Sequence, residues 1–347
     1  MTLEFKSFQK LDPEDRLCDM LKSRAVLLMI FIGMCITACA ESNTDFRLAL
    51  AEHGGKLSWS ADGYKIIQYS AKPNGNEIGI RGDNGSGITF LGFLFLISEQ
   101  APLTSEKCRD GALNSEKTGD PSLKVQSTSK ISNSGNHPVS LVSYTAQARD
   151  GKVLYVVRGF AATADICGDL EFYSDSPITA DDVGLKKVFT SYTLDEKYTP
   201  TFRDALLYGQ ILYNAKAYKA AGTAFETALD RLKQSHEADQ ITMKRVVTDQ
   251  AGMAYGMSGD LQKARAIFEN AIREDPQYPL YYYNLACADA ENQDLNGAQK
   301  HLQEAFDRKA NVVAGEKMPD PTTDDSFLPY RGNSAFWGFL EGLQAKR

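Results

Sequence analysis

A repeated pattern of small and aromatic residues in the C-terminal part of the chain constrains the fold more than any other feature of the sequence. Between Arg245 and Tyr278 the pattern consists of two small residues, an aromatic, a small residue, an aromatic, a small residue and a proline: Ala251, Gly252, Tyr255, Ala264, Phe268, Ala271 and Pro276. Two antiparallel helices need residues no larger than alanine where their backbones approach closely. The pattern therefore predicts a helical hairpin that turns at Gly259 and Asp260.

The hairpin pattern occurs three times. Gly252 corresponds to Ala286, 34 residues later, and to Gly209, 43 residues earlier. The other small and bulky positions shift by the same intervals, to Ala298, Leu302 and Ala305 and to Ala221, Phe225 and Ala228. Three stacked hairpins are about the minimum that buries a continuous core. We therefore expect three repeats, at residues 202–235, 245–278 and 279–312.

This repeat resembles the tetratricopeptide repeat (TPR), a helix-turn-helix unit of 34 residues. The resemblance implies an all-α superhelix whose concave face is lined by fixed positions of the first helix in each repeat, and which binds an extended or helical protein segment. The apolar side chains at those positions are the expected partner-binding residues: Tyr213, Val246, Met253, Met257, Leu280 and Tyr283. An alternative stays open, in which the C-terminal tail or the N-terminal domain of the same chain fills this groove.

An aromatic segment, residues 313–347, follows the repeats. Its acidic residue, Phe327, Arg331 and a later phenylalanine, after a proline-rich link, resemble the segment that closes certain bacterial TPR arrays. A terminal repeat needs a cap because its last apolar face would otherwise meet water. We therefore expect these aromatic side chains to be buried: Phe327, Phe336, Trp337 and Phe339.

The first 39 residues have the features of a targeting segment. A basic pair, Lys22 and Arg24, precedes an apolar run at residues 25–36 that is too short to span a bilayer. The run ends in Ile-Thr-Ala-Cys, which resembles the bacterial lipobox and implies cleavage before Cys39 and a diacylglycerol on its thiol. The alternative is an ordinary signal peptide that is cut after Ala38 or Ala40.

The resemblance to a lipoprotein signal has two further implications. Ala40 stands where an aspartate would favour inner-membrane retention, so we expect a cell-envelope protein at the periplasmic face of the outer membrane. Four acidic residues between positions 12 and 19 precede the basic pair and do not fit a signal sequence: Asp12, Glu14, Asp15 and Asp19. Residues 1–19 are therefore expected to be an over-long gene assignment that is not translated.

Residues 40–198 are expected to form an α+β domain with an antiparallel sheet and flanking helices. Runs rich in β-branched and aromatic residues alternate there with turn-rich stretches, at 56–60, 64–70, 77–81, 88–98, 123–131, 139–148, 152–163 and 169–173. Asp150-Gly151 predicts a tight hairpin. Helices are expected at 46–53 and at 180–189, the second capped by Thr179. This order of elements resembles the Mog1/PsbP-like sandwich, and an unassigned sheet packed by one or two helices is the alternative.

The cysteines are distributed in a way that suggests one disulfide. Cys108 and Cys167 lie in the same expected domain and form the candidate pair in an oxidising compartment, although a reduced, structural pair remains open. Cys287 stands between two alanines on a repeat helix, so we expect it to be a small buried side chain.

The sequence contains few signs of chemistry. A net charge of −7 without a basic cluster argues against nucleic-acid binding. The four histidines have no metal-ligand spacing, and the glycines between Gly75 and Gly87 match no phosphate-binding loop. We therefore expect no enzymatic activity, no metal and no small-molecule cofactor.

Together these features predict a membrane-anchored envelope lipoprotein that uses a TPR groove as a protein-interaction scaffold. Two alternatives remain open. In the first, the chain is an envelope enzyme or ligand-binding protein whose site lies in the α+β domain and whose repeats serve as a structural brace. In the second, it is a structural subunit of an assembly, which a large exposed apolar patch would support.

Overall fold

Two units make up the structure, a computed structural model, with a boundary between Met1–Pro200 and Thr201–Arg347. It describes residues 45–50, 52–97, 103–133, 135, 137–148, 150–163 and 165–345. The predicted targeting segment, including Cys39, lies outside the described residues. Among the helices of the described ranges, none has the length and apolar character required to cross a membrane.

Two antiparallel sheets form the framework of the first unit. The smaller sheet has the strand order β1 (Asp45–Ala49), β2 (Lys56–Ser60) and β10 (Thr193–Asp195). The larger sheet has seven strands in the order β3-β4-β5-β9-β8-β7-β6. Its strands are β3 (Lys65–Ala71), β4 (Glu77–Asp83), β5 (Thr89–Leu96), β6 (Lys124–Ile131), β7 (Val139–Gln147), β8 (Val153–Ala162) and β9 (Ile166–Ser174). The expected α+β class with an antiparallel N-terminal sheet is confirmed.

Both faces of the seven-stranded sheet are covered. Helix α1 (Ser105–Gly119) packs against β7 and β8 on one face, in a cluster that includes Phe160. On the other face helix α2 (Val183–Ser191) places the Phe189 ring over Gly159, where an added Cβ would lie 2.6 Å from the ring. The central strands can therefore be apolar on both faces: Phe160 of β8 packs in the cluster with α1, Phe172 of β9 contacts Phe189 of α2, and both are fully buried.

The two edge strands of this sheet differ in character. Strand β6 is exposed along most of its length and is polar, with a lysine near each end. Strand β3 exposes Ile66 and Ile67. Both edge strands have a register irregularity, β3 between Ile66 and Gln68 and β6 between Val125 and Ser127. Polar and charged side chains on an edge strand discourage pairing with another chain.

The Cys108–Cys167 disulfide is present. It joins α1 to β9 with a Cα–Cα distance of 6.3 Å and closes a loop between residues 59 positions apart. The sequence left open whether this pair is oxidised, and the structure shows it as a disulfide beneath α1, where both residues are fully buried.

Three expectations for the first unit need correction. The helix expected at 46–53 is wrong, because side chains alternate between buried and exposed in strand β1 and Phe46 pairs with Trp59 of β2. Thr179 does not cap α2; its backbone N–H and its hydroxyl donate to the Asp182 carboxylate instead. Helix α1 was not predicted, because its many polar residues hide the apolar face that carries Cys108.

The predicted hairpin between β7 and β8 is confirmed. Gly151 has a φ of +83°, the left-handed conformation that glycine adopts without a steric penalty. The Asp150 carboxylate accepts from the Lys152 backbone N–H at 3.1 Å, and the two strands pair antiparallel. The turn residues therefore set the register of these strands.

The described part of the second unit is helical. Its helices are α3 (Phe202–Asn214), α4 (Tyr218–Leu232), α5 (Gln240–Met257), α6 (Leu261–Glu274), α7 (Pro279–Glu291), α8 (Leu295–Asp307) and α9 (Ser334–Gln344). Short 3₁₀ helices at Lys309–Asn311, Pro321–Thr323 and Leu328–Tyr330 interrupt the connection between α8 and α9.

Consecutive helices pack as pairs at the glycines of the repeat pattern. An added Cβ on Gly209 of α3 would lie 2.6 Å from the Phe225 ring of α4, and one on Gly252 of α5 would overlap the Phe268 ring of α6. In the third pair Ala286 and Leu302 are fully buried. In the first two pairs a phenyl ring of the second helix therefore packs directly against the backbone of the first helix.

The turns inside the three pairs share one backbone conformation. Lys216, Gly259 and Gln293 have φ values of +60°, +85° and +64°, and they are separated by the intervals of the sequence repeat. Non-glycine residues rarely adopt this conformation. Its recurrence indicates that the helix pairs impose the same turn whichever residue is present.

We expect substitutions at Gly252 and Gly256, both in α5, to have opposite effects on stability. Gly252→Ala places a methyl group in the Phe268 ring, so we expect the free energy of unfolding to fall by about 1–3 kcal/mol. Gly256→Ala meets only Ala264 at 3.8 Å, so the better helix propensity of alanine should raise it by about 0.5–1 kcal/mol. Urea unfolding followed by helical circular dichroism measures both; equal effects would contradict the packing described.

Candidate protein-binding site

The first helices of the second and third pairs, α5 and α7, form the candidate site. Val246, Asp249, Met253 and Met257 follow one another at intervals of three or four residues and so lie along one face of α5. The side-chain amide of Asn284 on α7 donates to Asp249 Oδ1 at 2.6 Å. This hydrogen bond joins the two helices at the middle of the face.

The predicted partner-binding residues fall into two groups. Met257 is 57 % exposed, and Val246 and Met253 of the same helix are half-buried. The other three, Tyr213, Leu280 and Tyr283, are buried inside the protein, and Tyr283 is only 1 % exposed. In this structure the three α5 residues are at least partly exposed, whereas Tyr213 of α3 and the two α7 residues are covered.

The covering element is the chain between α8 and α9. Residues 312–330, named here the groove segment, pack against α7 and bury Met318 and Phe327 in the same apolar cluster as Leu280 and Tyr283. The Phe327 ring contacts the Tyr283 ring edge-on, with centroids 6.1 Å apart. Of the two candidates that the sequence left open for filling the groove, the C-terminal tail occupies this part of it.

Helix α9 completes this apolar cluster. Phe336, Leu340 and Leu343 of α9 are buried within it, while Trp337 and Phe339 are half-buried against it. The Arg331 guanidinium lies over the Trp337 ring at 5.4 Å. Of the four aromatic residues expected to be buried, Phe327 and Phe336 are fully so.

Tyrosine hydroxyl groups hold the carboxyl groups of the groove segment. The Tyr278 hydroxyl donates to Glu316 Oε2 at 2.7 Å, and the Tyr283 hydroxyl donates to Asp324 Oδ2 at 3.0 Å. The Tyr330 hydroxyl in turn donates to a backbone carbonyl near the end of α7 at 2.6 Å. The segment is thus joined to α7 by neutral donors.

Burial raises the pKa of three carboxyl groups at this face. Desolvation raises the pKa of Asp249 to about 8; the negative charge of Glu316 adds to this effect and the Asn284 hydrogen bond opposes it. Desolvation also raises the pKa of Glu316 and of Asp324. In the described residues none of the three forms an ion pair, and Arg245 binds Asp275 instead, with Nε 2.6 Å from Oδ2.

The surroundings of Asp249 are otherwise neutral. A negative charge on Asp249 raises the pKa of four nearby groups, three phenols and a thiol: Tyr213, Tyr278, Tyr281 and Cys287. The Cys287 thiol is free and half-buried, and desolvation raises its pKa well above the usual range. A charge on Asp249 therefore has little to stabilise it beyond one amide hydrogen bond.

A second buried carboxylate lies outside this face and has a structural role. Asp289 of α7 pairs with Arg265 of α6 and lies 2.6 Å from Nδ1 of His301 on α8. Burial lowers the pKa of His301, and the positive charges of Lys300 and Arg265 lower it further. A neutral His301 donates Nδ1–H to Asp289, so the network joins three helices without a nucleophile beside it.

The first unit also contains a convergent cluster of ionisable groups. Arg158 of β8 binds Asp169 of β9 through two hydrogen bonds, at 2.8 and 2.5 Å. Its guanidinium also lies 3.3 Å from Glu116 and 3.5 Å from Glu171. The arginine and Asp169 are buried and satisfy each other, so this cluster binds the sheet to α1. Among the described residues, no three His, Cys, Asp or Glu side chains are arranged to hold a metal ion.

Comparison with known proteins identifies no relative. No family model and no curated protein matches the sequence. A crystal structure of a protein from Bacteroides thetaiotaomicron is similar over 61 % of this chain and 78 % of that chain, with 9 % identity and a TM-score of 0.32. A similarity this weak carries no argument about fold or function.

We expect the helical unit to lose stability as the pH rises, because of Asp249. Its carboxyl group has a pKa of about 8 when folded and 3.8 as its ordinary value, so between these values the folded protein binds more protons than the unfolded one. The free energy of unfolding should therefore fall from pH 5 to pH 9, by more than about 1 kcal/mol. Urea unfolding across this range measures it.

The matched variants are Asp249→Asn and Glu341→Gln. The first keeps an acceptor for Asn284 and cannot ionise, so we expect its stability to depend less on pH. The second changes an exposed carboxylate of α9 away from this face and should leave the wild-type pH dependence unchanged. The same slope in all three proteins would show that Asp249 is not the group responsible.

Proposed function

We propose that this chain is a lipid-anchored protein of the bacterial envelope whose helical unit is a TPR array that binds a protein segment. The observation that carries the proposal is the apolar stripe of Val246, Met253 and Met257 on α5. It continues a face that already holds the groove segment, so the same surface offers both an occupied and an open part. Methionine side chains are flexible and polarisable, and they adapt to partners of different shape.

Three features support the assignment of the helical unit to a TPR array. Consecutive helix pairs recur at the intervals of the sequence repeat, glycine lies beneath a phenyl ring of the second helix in the first two pairs, and the corresponding Ala286 and Leu302 of the third pair are fully buried. The same positive φ recurs in the turn of each pair. Stacked pairs of this kind present the first helices along one concave surface.

Two features support an envelope location. The sequence before Cys39 resembles a lipobox, and several acyl chains on one residue hold a soluble domain on a bilayer, at about 0.8 kcal/mol per buried methylene. The Cys108–Cys167 disulfide fits an oxidising compartment. The absence of an aspartate at position 40 favours the outer membrane within this proposal.

The proposed binding face is tested by affinity purification from detergent-solubilised membranes. We expect the Val246→Ala/Met257→Ala variant to recover at least tenfold less of a partner than the wild type. Met257 is exposed and Val246 half-buried, so the stability should change by less than about 1–2 kcal/mol. Quantitative mass spectrometry of the eluted proteins measures the recovery.

Ile241→Ala is the matched control for this experiment. Ile241 lies on the same helix and is 70 % exposed, but at about 100° per residue it points roughly 140° away from Val246. We expect it to recover the partner like the wild type. If every protein is recovered equally by all three baits, the α5 stripe is not a binding face.

The proposed anchor is tested by labelling cells with a palmitate analogue. We expect the wild type to incorporate the label and to fractionate with membranes, because the Cys39 thiol carries the lipid. Cys39→Ser should lose the label and leave the membrane fraction, whereas Cys287→Ser should retain both properties. A labelled Cys39→Ser protein would contradict the lipobox assignment.

A further inference from the structure

The groove segment has the character of a short peptide ligand. Within residues 312–330 three prolines, Pro319, Pro321 and Pro329, prevent a continuous helix, and the segment has only 3₁₀ turns at residues 321–323 and 328–330. Its backbone hydrogen bonds are local, such as Phe327 N–H to the Asp324 carbonyl. Side chains provide its attachment to α7 described above.

One turn of this segment contains both recognition contacts to Tyr283. The Phe327 N–H donates to the Asp324 carbonyl at 3.0 Å, and the Ser326 N–H donates to Asp324 Oδ1 at 3.0 Å. The turn places the other Asp324 oxygen on the Tyr283 hydroxyl and the Phe327 ring against the Tyr283 ring. A single tyrosine of α7 thus contacts a carboxylate and a phenylalanine three residues apart.

This attachment stabilises the protein less than its burial suggests. Glu316 and Asp324 are half-buried, and each accepts from one phenol and one backbone N–H. Neither forms an ion pair among the described residues, so the loss of water around the ionised carboxylates is only partly compensated. A segment that served only to cap the array would gain more from apolar residues, as α9 does through Leu340 and Leu343. Carboxyl groups at these positions indicate that another segment with the same contacts could replace the groove segment.

We propose that residues 312–330 are a displaceable internal ligand, and that the partner of the helical unit carries the same chemistry: a carboxylate three residues before a phenylalanine, presented in a turn. The proposal rests on the proposed protein-binding function and adds the partner class and its regulation. A partner with this motif first contacts the exposed stripe at Met257. It then contacts Leu280 and Tyr283 once the groove segment has been displaced.

The test uses the chain from Cys39 onward and a fluorescein-labelled peptide with the sequence of residues 312–330. In the wild type the tethered segment competes at an effective concentration on the order of mM, so the peptide should bind weakly. Phe327→Ala weakens the tethered segment and leaves the groove intact. We expect this variant to bind the peptide at least tenfold more tightly than the wild type, as measured by fluorescence anisotropy.

A second peptide establishes the chemistry. The same sequence with Asp324→Ala and Phe327→Ala lacks both contacts to Tyr283, so we expect it to bind at least tenfold more weakly than the native sequence. Glu341→Gln in the protein is the matched control, because this exposed carboxylate of α9 makes no described contact to Tyr283 or Asp324, and the variant should bind like the wild type. Equal binding of both peptides, or no gain for the folded Phe327→Ala variant, would overturn the proposal.

A milder variant covers the case in which Phe327→Ala does not fold. Phe327→Leu keeps most of the apolar volume, and circular dichroism reports whether the helices remain. We expect this variant to bind the labelled peptide at least threefold more tightly than the wild type. Unchanged affinity in a folded Phe327→Leu protein would overturn the proposal. The proposed protein-binding function is tested separately from the internal ligand. Loss of a partner by the Val246→Ala/Met257→Ala bait, without peptide binding to the Phe327 variants, would remove the internal ligand and retain the binding face.

Discussion

The close approach of helix backbones at glycine and alanine is the constraint on which the helical unit depends. At Gly209 and Gly252 a phenyl ring of the second helix occupies the space of a side chain on the first. Each pair is therefore narrow, and α5 and α7 come near enough for Asn284 to reach Asp249. The candidate site is thus a product of the packing between pairs, because its central hydrogen bond crosses from one repeat to the next.

The chemistry of this face follows from pairing carboxyl groups with phenols. A phenol donor stabilises a carboxyl group in either protonation state, whereas an arginine would hold only the charged form strongly. Burial then raises the pKa of Asp249, Glu316 and Asp324, so the neutral form persists to higher pH than usual. The groove segment is held by contacts of modest strength, in keeping with a competition between this segment and an external one.

The sequence predicted the helical character of the second unit because small residues recur where two helix backbones approach closely. It failed where tertiary pairing decides the outcome. Strand β1 looked helical because a short apolar run has no decisive period; Phe46 is buried by Trp59 of β2 and Phe90 of β5, which are distant in sequence. At the site, nothing in the sequence indicates that Glu316 and Asp324 return to Tyr278 and Tyr283, which lie about 40 residues earlier in the chain.

The two edge strands of the seven-stranded sheet differ in polarity, so one edge is more prone than the other to pair with a second copy of the chain. Strand β6 carries lysines that repel a second copy, whereas β3 presents two neighbouring isoleucines to solvent. The irregular register at Ile66 distorts the hydrogen-bonding groups of β3 and partly offsets this attraction. If two copies pair edge to edge, we therefore expect β3 to be the contact strand, with its irregular register limiting the number of hydrogen bonds that the pair can form.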